Sequence, residues 1–185
     1  AIDLSLLKRV RASLPDGVGL AVDAGMAWRS VEDALEACRP LDELGLAFIE
    51  DPFPPQRWRL TGELAGRLRT PVAAGEDAPD PWLLAELAAV VGLLRVDATV
   101  SGGFGAALAA AEVAAARGVP VMTHAFPDQH AHLAGAPAVG MVETIPDASG
   151  VNPVGQLLAR RQAVDAGELV LSEEPGHGAP LDWAA

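Results

Sequence analysis

The sequence has little cysteine, few basic residues and no long uninterrupted apolar run. Its 185 residues include one cysteine, Cys38, so a disulfide framework is excluded and a reducing compartment, the cytoplasm, is expected. Lysine and arginine total 13 against 25 acidic residues, and the net charge of −12 argues against a nucleic-acid partner because it repels phosphates. The most apolar stretch, residues 104–126, is broken by Glu112, Arg117 and Pro120, so no membrane span is predicted.

Two phosphate-binding signatures are also absent. No Gly-x-Gly-x-x-Gly motif follows the first apolar run, and no phosphate loop occurs in the chain. The nearest glycine cluster, residues 101–105, precedes a helical pattern, where it either binds an anion or permits a tight turn. The sequence therefore gives no sign of a nucleotide cofactor.

Six short apolar runs alternate with helical patterns. The runs are residues 18–22, 46–49, 71–74, 93–96, 119–123 and 140–142. The helical patterns cover residues 3–14, 30–44, 56–68, 80–89, 103–117 and 128–136. Because the runs are apolar throughout, they predict parallel strands buried on both faces, and hence an α/β fold. A closed eight-stranded barrel and an open doubly wound sheet both fit this alternation.

Each apolar run is followed by an ionisable side chain. These residues, called here the strand-end residues, are Asp23, Glu50, Glu76, Asp97, His124 and Glu143. One acid at a strand end is ordinary surface, whereas six in register indicate a shared site. In a barrel the carboxyl ends of the strands converge on one mouth, which is where active sites of that architecture lie.

Three of the strand-end residues predict a magnesium site. Asp23, Glu50 and Glu76 follow three successive runs, and three neighbouring carboxylates raise one another's pKa unless a cation lies between them. Oxygen ligands of this kind suit Mg²⁺, with water and substrate oxygens completing the octahedron. Zinc is disfavoured because no histidine or cysteine joins the three.

The other strand-end residues predict acid–base chemistry. A carboxylate beside an imidazole fixes its tautomer and raises its proton affinity, so Asp97 and His124 are candidates for a general base or acid. Glu143 either donates a hydrogen bond when protonated or orients a neighbour. Arg95, within the run 93–96, either forms a structural ion pair with a buried acid or reaches the site from below.

The segments around the strand-end residues carry a family resemblance. They read VDAG, IEDP, AAGED, VDATVSGGFGAA, THAFPDQHAHLAGA and VE. In order, spacing and flanking residues they resemble the C-terminal barrel of the enolase superfamily, in the mandelate racemase-like branch that includes the sugar-acid dehydratases. The resemblance covers nearly the whole chain and implies a (β/α)7β barrel. It matches Asp23, Glu50 and Glu76 to the Mg²⁺ ligands, Asp97 and His124 to the catalytic dyad, and Glu143 to the acid on the last strand.

The resemblance implies a reaction. Members of the family abstract the proton α to a carboxylate, and Mg²⁺ stabilises the resulting enediolate. Muconate-cycloisomerase-like members place a lysine after the strand that here ends at Asp97, and this chain has none there. The first expectation is therefore Mg²⁺-dependent dehydration of a sugar acid (an aldonate) to a 2-keto-3-deoxy acid. The alternatives are a racemase or epimerase of a 2-hydroxy acid and a non-catalytic truncated barrel.

The chain also departs from the family pattern. The N-terminal capping domain and the first two barrel strands would lie upstream of residue 1, so we expect six strands of eight, in a partial barrel over residues 1–145. Residues 146–185 are expected to form a C-terminal extension. The expected partners are a sugar-acid substrate, the missing N-terminal half of the fold and further copies of the chain in a homo-oligomer. Gly25 stands where many relatives carry a polar side chain, which weakens inference about the substrate.

Overall fold

The chain folds around one sheet of six short parallel strands. The computed structural model describes residues 3–146, 149–151 and 153–184. Its strands are β1 (Val22–Asp23), β2 (Ile49–Glu50), β3 (Val72–Ala74), β4 (Leu93–Val96), β5 (Val121–Thr123) and β6 (Met141–Val142). They lie side by side in chain order, and every neighbouring pair is parallel. This order is that of a barrel, because a doubly wound sheet reverses its order at a switch point.

The sheet curls into half a barrel. In the part of the chain that the structure describes, β1 and β6 each pair with a single neighbour, so these six strands do not close a ring. The prediction of an incomplete (β/α)7β barrel with six strands is confirmed. Strands β3 and β4 are buried along their whole length, whereas the edge strands β1 and β6 are partly exposed.

Helices connect the strands and cover the outer face of the sheet. They are α1 (Leu4–Ser13), α2 (Val31–Cys38), α3 (Trp58–Ala65), α4 (Pro81–Ala88), α5 (Phe104–Ala115) and α6 (Pro127–Ala134). Side chains of Asp3, Ser30 and Asp80 accept hydrogen bonds from main-chain N–H groups at the starts of α1, α2 and α4. None of the helices within the described ranges combines the length and apolar character that crossing a membrane requires.

Two predicted helices are shorter than expected. The pattern over residues 30–44 becomes α2 followed by a 3₁₀ helix, Arg39–Leu44, because Pro40 lacks the N–H that would continue the α-helical ladder. The pattern over residues 56–68 likewise begins with a 3₁₀ turn at Pro55–Arg57 before α3. The predicted apolar run 93–96 coincides with β4, whereas the runs at 18–22, 46–49 and 119–123 begin two to four residues before their strands.

The core lies between the sheet and the helices. Leu84 of α4, Leu94 of β4 and Ala107 of α5 belong to the largest buried cluster. Four alanines of α5 are buried, Ala107, Ala110, Ala111 and Ala114. A second cluster joins α2 and α3 through Leu35 and Leu64. The core therefore holds the strands in place while their carboxyl ends remain free to form a site.

The tail of the chain lies against α6. It contains a 3₁₀ turn, Pro153–Leu157, and an antiparallel hairpin of β7 (Ala163–Asp165) and β8 (Glu168–Val170). Asp128 in the first turn of α6 accepts from Arg161 Nε at 2.7 Å and from the Gln162 N–H at 2.6 Å. The division into residues 1–145 and 146–185 stays a prediction.

Replacing Gly75 with alanine is expected to destabilise the fold and displace Glu76. Gly75 has φ 135°, and a Cβ there would lie 2.3 Å from the main-chain oxygen of Arg95. The backbone conformation alone costs about 1–3 kcal/mol for a residue with a side chain, and the contact adds to this. Urea unfolding measures the loss. The control is Gly105→Ala in α5, where a Cβ meets nothing within 4 Å and stability should hold within about 1 kcal/mol; equal losses in the two variants would contradict the prediction.

Candidate active site

All six strand-end residues lie at the same edge of the sheet. Asp23 and Glu50 are the last residues of β1 and β2 and face each other in register. The remaining four follow β3 to β6 within two residues of the strand end. Because the strands are parallel, their carboxyl ends meet on one side, and contacts made directly or through Arg95 link all of these side chains except that of Asp23.

A buried arginine holds three of these carboxylates. Arg95 on β4 is 1% exposed and forms ion pairs with Glu50 through Nε and with Glu143 through Nη2. Its Nη2 also lies 3.1 Å from Glu76 Oε2, and its Nη1 donates to the Thr123 carbonyl at 3.2 Å. Arg95 therefore forms structural ion pairs and also reaches the site, because the acids with which it pairs are strand-end residues.

The acids after β2 and β3 are crowded. Burial, with the neighbouring Glu76 carboxyl, raises the pKa of Glu50 well above its ordinary value. Burial also raises the pKa of Asp51 to about 7, and the charges of Glu76, Asp77 and Asp23 act in the same direction. Such repulsion is what a cation between the carboxylates would relieve.

Among the residues that the structure describes, two groups of side chains have ligand atoms all within 4.8 Å of one another. They are Asp51 with Glu76 and Asp77, and Glu76 with His124 and Glu143. Asp23 and Glu50 belong to neither group: Asp23 Oδ1 accepts from the Gly25 N–H at 2.8 Å, and Glu50 pairs with Arg95. The structure thus brings Glu50 and Glu76 together and leaves Asp23 exposed at the rim. This set of carboxylate oxygens, with one arginine as counter-charge, fits a hard divalent cation such as Mg²⁺.

Asp97 and His124 form a hydrogen-bonded pair. His124 Nδ1 lies 2.8 Å from Asp97 Oδ2, and Asp97 Oδ1 accepts from the N–H and the hydroxyl of Thr99 at 2.7 and 2.6 Å. Burial opposes the charge on Asp97, but the hydrogen bonds from His124 and Thr99 hold its pKa well below the ordinary range. Burial likewise opposes the imidazolium, while the bond to Asp97 prevails and raises the pKa of His124. The pair has the geometry of an oriented general base.

The free nitrogen of His124 faces the carboxylates. His124 Nε2 lies 3.5 Å from Glu76 Oε1, and its side chain is 28% exposed. A group bound beside Glu76 would therefore lie next to this nitrogen. The structure joins the predicted acid–base pair to the predicted metal ligands through this one contact.

Glu143 accepts hydrogen bonds in this structure. Its Oε2 accepts from the Ala125 N–H at 2.9 Å and from Arg95. Burial opposes its charge, but these two donors prevail and hold the pKa of Glu143 below the ordinary value. Of the two roles predicted for Glu143, the structure favours orienting a neighbour over donating a hydrogen bond.

Backbone strain concentrates at the same edge. Met26, Asp51 and Ala125 have φ of 58°, 41° and 42°, and each follows a strand-end residue closely. Residues with side chains rarely adopt this left-handed conformation, and it persists where surrounding contacts hold it. The turns after β1, β2 and β5 therefore keep a locally unfavourable backbone conformation next to the strand-end residues.

Sequence reasoning missed the role of His130. This histidine of α6 is fully buried, and its Nδ1 lies 2.8 Å from the His124 carbonyl oxygen. His130 and His132 are two residues apart and do not share a helix face, so their spacing predicts no shared metal site and indicates no other role for His130. Its distance of six residues from His124, across the start of α6, is the signal that would have pointed to this contact.

The chain belongs to the enolase C-terminal domain-like family, whose model matches residues 1–185. Among curated proteins it is 27% identical over 190 residues to arabinonate dehydratase of Saccharolobus solfataricus, covering 95% of this chain and 48% of that protein. Both the fold and the predicted superfamily are thereby confirmed.

Solved structures show the same fold at full length. The L-talarate/galactarate dehydratase of Salmonella typhimurium LT2, liganded with Mg and L-lyxarohydroxamate, matches with a TM-score of 0.85 and 25% identity over 98% of this chain and 45% of that one. A racemase from Streptomyces coelicolor A3(2) with bound magnesium matches with a TM-score of 0.84 and 26% identity over 97% of this chain and 49% of that one. The chain spans about half the length of the proteins it matches.

Proposed function

We propose that this chain carries the metal-binding and acid–base residues of a Mg²⁺-dependent acid-sugar dehydratase. The reaction removes the proton α to a carboxylate and eliminates water, giving a 2-keto-3-deoxy acid. The observation that carries the proposal is the Asp97–His124 pair, whose free Nε2 faces the Glu76 carboxylate at 3.5 Å. Two sugar-acid dehydratases among the curated relatives, and the magnesium-liganded structure of one of them, support the choice of substrate class.

Asp23, Glu50 and Glu76 would hold the ion. When bound, Mg²⁺ would draw electron density from the substrate carboxylate and so stabilise the enediolate. Asp51 and Asp77 lie directly after two of these ligands and add negative charge around the ion. Arg95 holds Glu50 and Glu76 from below, which fixes where their carboxylates stand.

His124 performs both proton transfers in this proposal. Its Nε2 takes the α-proton while the C–H electron pair moves into the substrate carboxylate. Asp97 keeps the other ring proton on Nδ1 and compensates the imidazolium that forms. The electron pair of the enediolate then forms a double bond between the α-carbon and the neighbouring carbon, whose hydroxyl leaves with its bonding electrons and takes the proton from Nε2 as water. The enol product tautomerises to the 2-keto acid, and His124 returns to its neutral form.

A product screen tests the proposal. The full-length protein is incubated with Mg²⁺ and a panel of sugar acids, and 2-keto-3-deoxy products are measured. Formation of such a product from at least one acid is the expected result. An acid that changes configuration without losing water would instead identify a racemase or epimerase, which needs a second base on the opposite face of the α-carbon.

The rest of the fold, the oligomeric state and the cellular compartment are also proposals. We expect the remaining strands and the capping domain to come from a longer polypeptide, and the assembled protein to be a cytoplasmic homo-oligomer. The lone buried Cys38 supports a reducing compartment. A capping domain encoded upstream would favour the enzyme, whereas its absence would favour a non-catalytic truncated barrel.

Replacing Arg95 with methionine is expected to destabilise the metal-free protein by about 3–5 kcal/mol, because breaking a buried ion pair leaves its partners uncompensated. Mg²⁺ should restore more stability in this variant than in the wild type, since the ion supplies the missing positive charge. Thermal unfolding with and without Mg²⁺ measures both effects.

The matched control for this prediction is Arg67→Met. Arg67 also pairs with two acids, Glu32 and Glu63, but it lies on the surface with its side chain 41% exposed. Its loss should cost about 1 kcal/mol or less, with no dependence on Mg²⁺. Equal behaviour of the two variants would show that Arg95 does not support the carboxylates.

A further inference from the structure

We propose that His130 is a positioning residue for the Asp97–His124 pair, an inference that rests on the function proposed above. Its ring bridges the ends of β4 and β5. Nδ1 lies 2.8 Å from the carbonyl oxygen of His124, and Nε2 lies 3.1 Å from the nitrogen of Ala98, which directly follows Asp97. One side chain thus contacts the main chain at or next to each member of the pair.

The pairing of β4 with β5 ends before Asp97 and His124, so the sheet alone does not fix the positions of these two residues. The last paired residues of β4 and β5 are Val96 and Thr123, so Asp97 and His124 stand one residue beyond the sheet. The His124 N–H still donates to the Val96 carbonyl at 2.9 Å. After it the chain turns at Ala125, whose φ is 42°. The hydrogen bonds of His130 hold the spacing where the ladder ends.

The contacts define one tautomer of His130. The Ala98 N–H is a donor, so Nε2 accepts, and the proton on Nδ1 is donated to the His124 carbonyl. Nε2 also lies 3.3 Å from Asp97 Oδ1, but that oxygen already accepts both hydrogen bonds from Thr99, and the Ala98 contact is shorter. His130 therefore orients the pair through the backbone and leaves Asp97 Oδ2 to His124.

Helix α6 holds the backbone of His130 in place. His130 lies in the first turns of α6, and its own N–H donates to the Phe126 carbonyl at 2.9 Å. The ring is fully buried, so it has no room to change rotamer without disturbing its neighbours. Phe126 packs edge-on against both His124 and His130.

The kinetic test compares three variants of the full-length protein. His130→Ala removes both bonds and is expected to lower kcat by about 10–100-fold, the usual cost of losing a partner that orients a reacting group, with KM and the Mg²⁺ Kd within about threefold of the wild type. His130→Asn keeps a donor for the His124 carbonyl and should recover part of the loss. Leu133→Ala, a cavity in the same helix away from the pair, should lower stability and leave kcat unchanged. A wild-type kcat in His130→Ala, or an equal loss in Leu133→Ala, would overturn the inference.

A spectroscopic arm separates this inference from the proposed function. In ¹⁵N-histidine-labelled protein, the hydrogen-bonded Nδ1 proton of His124 should give a distinct signal that is lost in His130→Ala and kept in Leu133→Ala. If that holds while no sugar acid reacts, the positioning role stands and the proposed function fails. If the signal is unchanged in His130→Ala, the positioning role fails whatever the activity.

Discussion

Replacing His124 with asparagine is expected to reduce exchange of the substrate α-proton with solvent deuterium by about 10²–10⁴-fold, the contribution typical of a positioned base. The asparagine amide can still donate to Asp97, so the variant removes the base and keeps that bond. The measurement is ¹H NMR of a reactive sugar acid in D₂O with Mg²⁺ and the full-length protein.

The control for this experiment is His177→Asn. His177 lies in the exposed tail, where its Nδ1 accepts from the Ala179 N–H. Its replacement should leave exchange at the wild-type rate. Retained exchange in His124→Asn with Mg²⁺ present would mean that another group abstracts the proton.

Replacing Glu76 with glutamine is expected to raise the Kd for Mg²⁺ by about 100-fold, because a charged ligand is lost and even an outer partner of a metal site can cost that much. Glu76 belongs to both groups of closely spaced ligand atoms, so it is the residue on which any ion at this edge depends most. Isothermal titration calorimetry measures the affinity without any need for turnover.

The matched variant is Glu63→Gln on the exposed face of α3, where the carboxylate pairs with Arg67. It should bind Mg²⁺ as the wild type does. An unchanged Kd in Glu76→Gln would place the ion elsewhere. Chelation with EDTA should abolish turnover of the wild-type protein, and added Mg²⁺ should restore it.

Much of the fold follows from local sequence patterns. Apolar runs such as 93–96 predict buried parallel strands because two covered faces leave no place for polar side chains. The runs overestimate the strands at 18–22 and 119–123, since pairing depends on the neighbouring strand and not on hydrophobicity alone. Pro40 shows a related limit in a helix: its missing N–H predicts where the α-helix ends, but the helical pattern does not predict that the chain continues as a 3₁₀ helix.

The sequence predicts some residues of the candidate site but not the contacts that position them. The strand-end residues were found because parallel strands bring their carboxyl ends together, and the structure links Asp97 to His124 as expected. The role of Arg95 depends on which acids lie within reach of a side chain from a central strand, which is a long-range property. His130 and the left-handed turn at Asp51 likewise arise from contacts between segments far apart in the chain. No local pattern encodes the bond between His130 and Ala98 or the turn at Asp51, whereas the contact between His130 and His124 spans only six residues.

The most direct test of the central claim is α-proton exchange by the wild-type protein. A panel of sugar acids is incubated in D₂O with the full-length protein, once with Mg²⁺ and once with EDTA, and the α-proton signals are followed by ¹H NMR. We expect at least one acid to lose its α-proton signal with Mg²⁺ and to keep it with EDTA. Exchange that is equally fast with EDTA, or absent across the panel while Mg²⁺ is bound, would contradict the account.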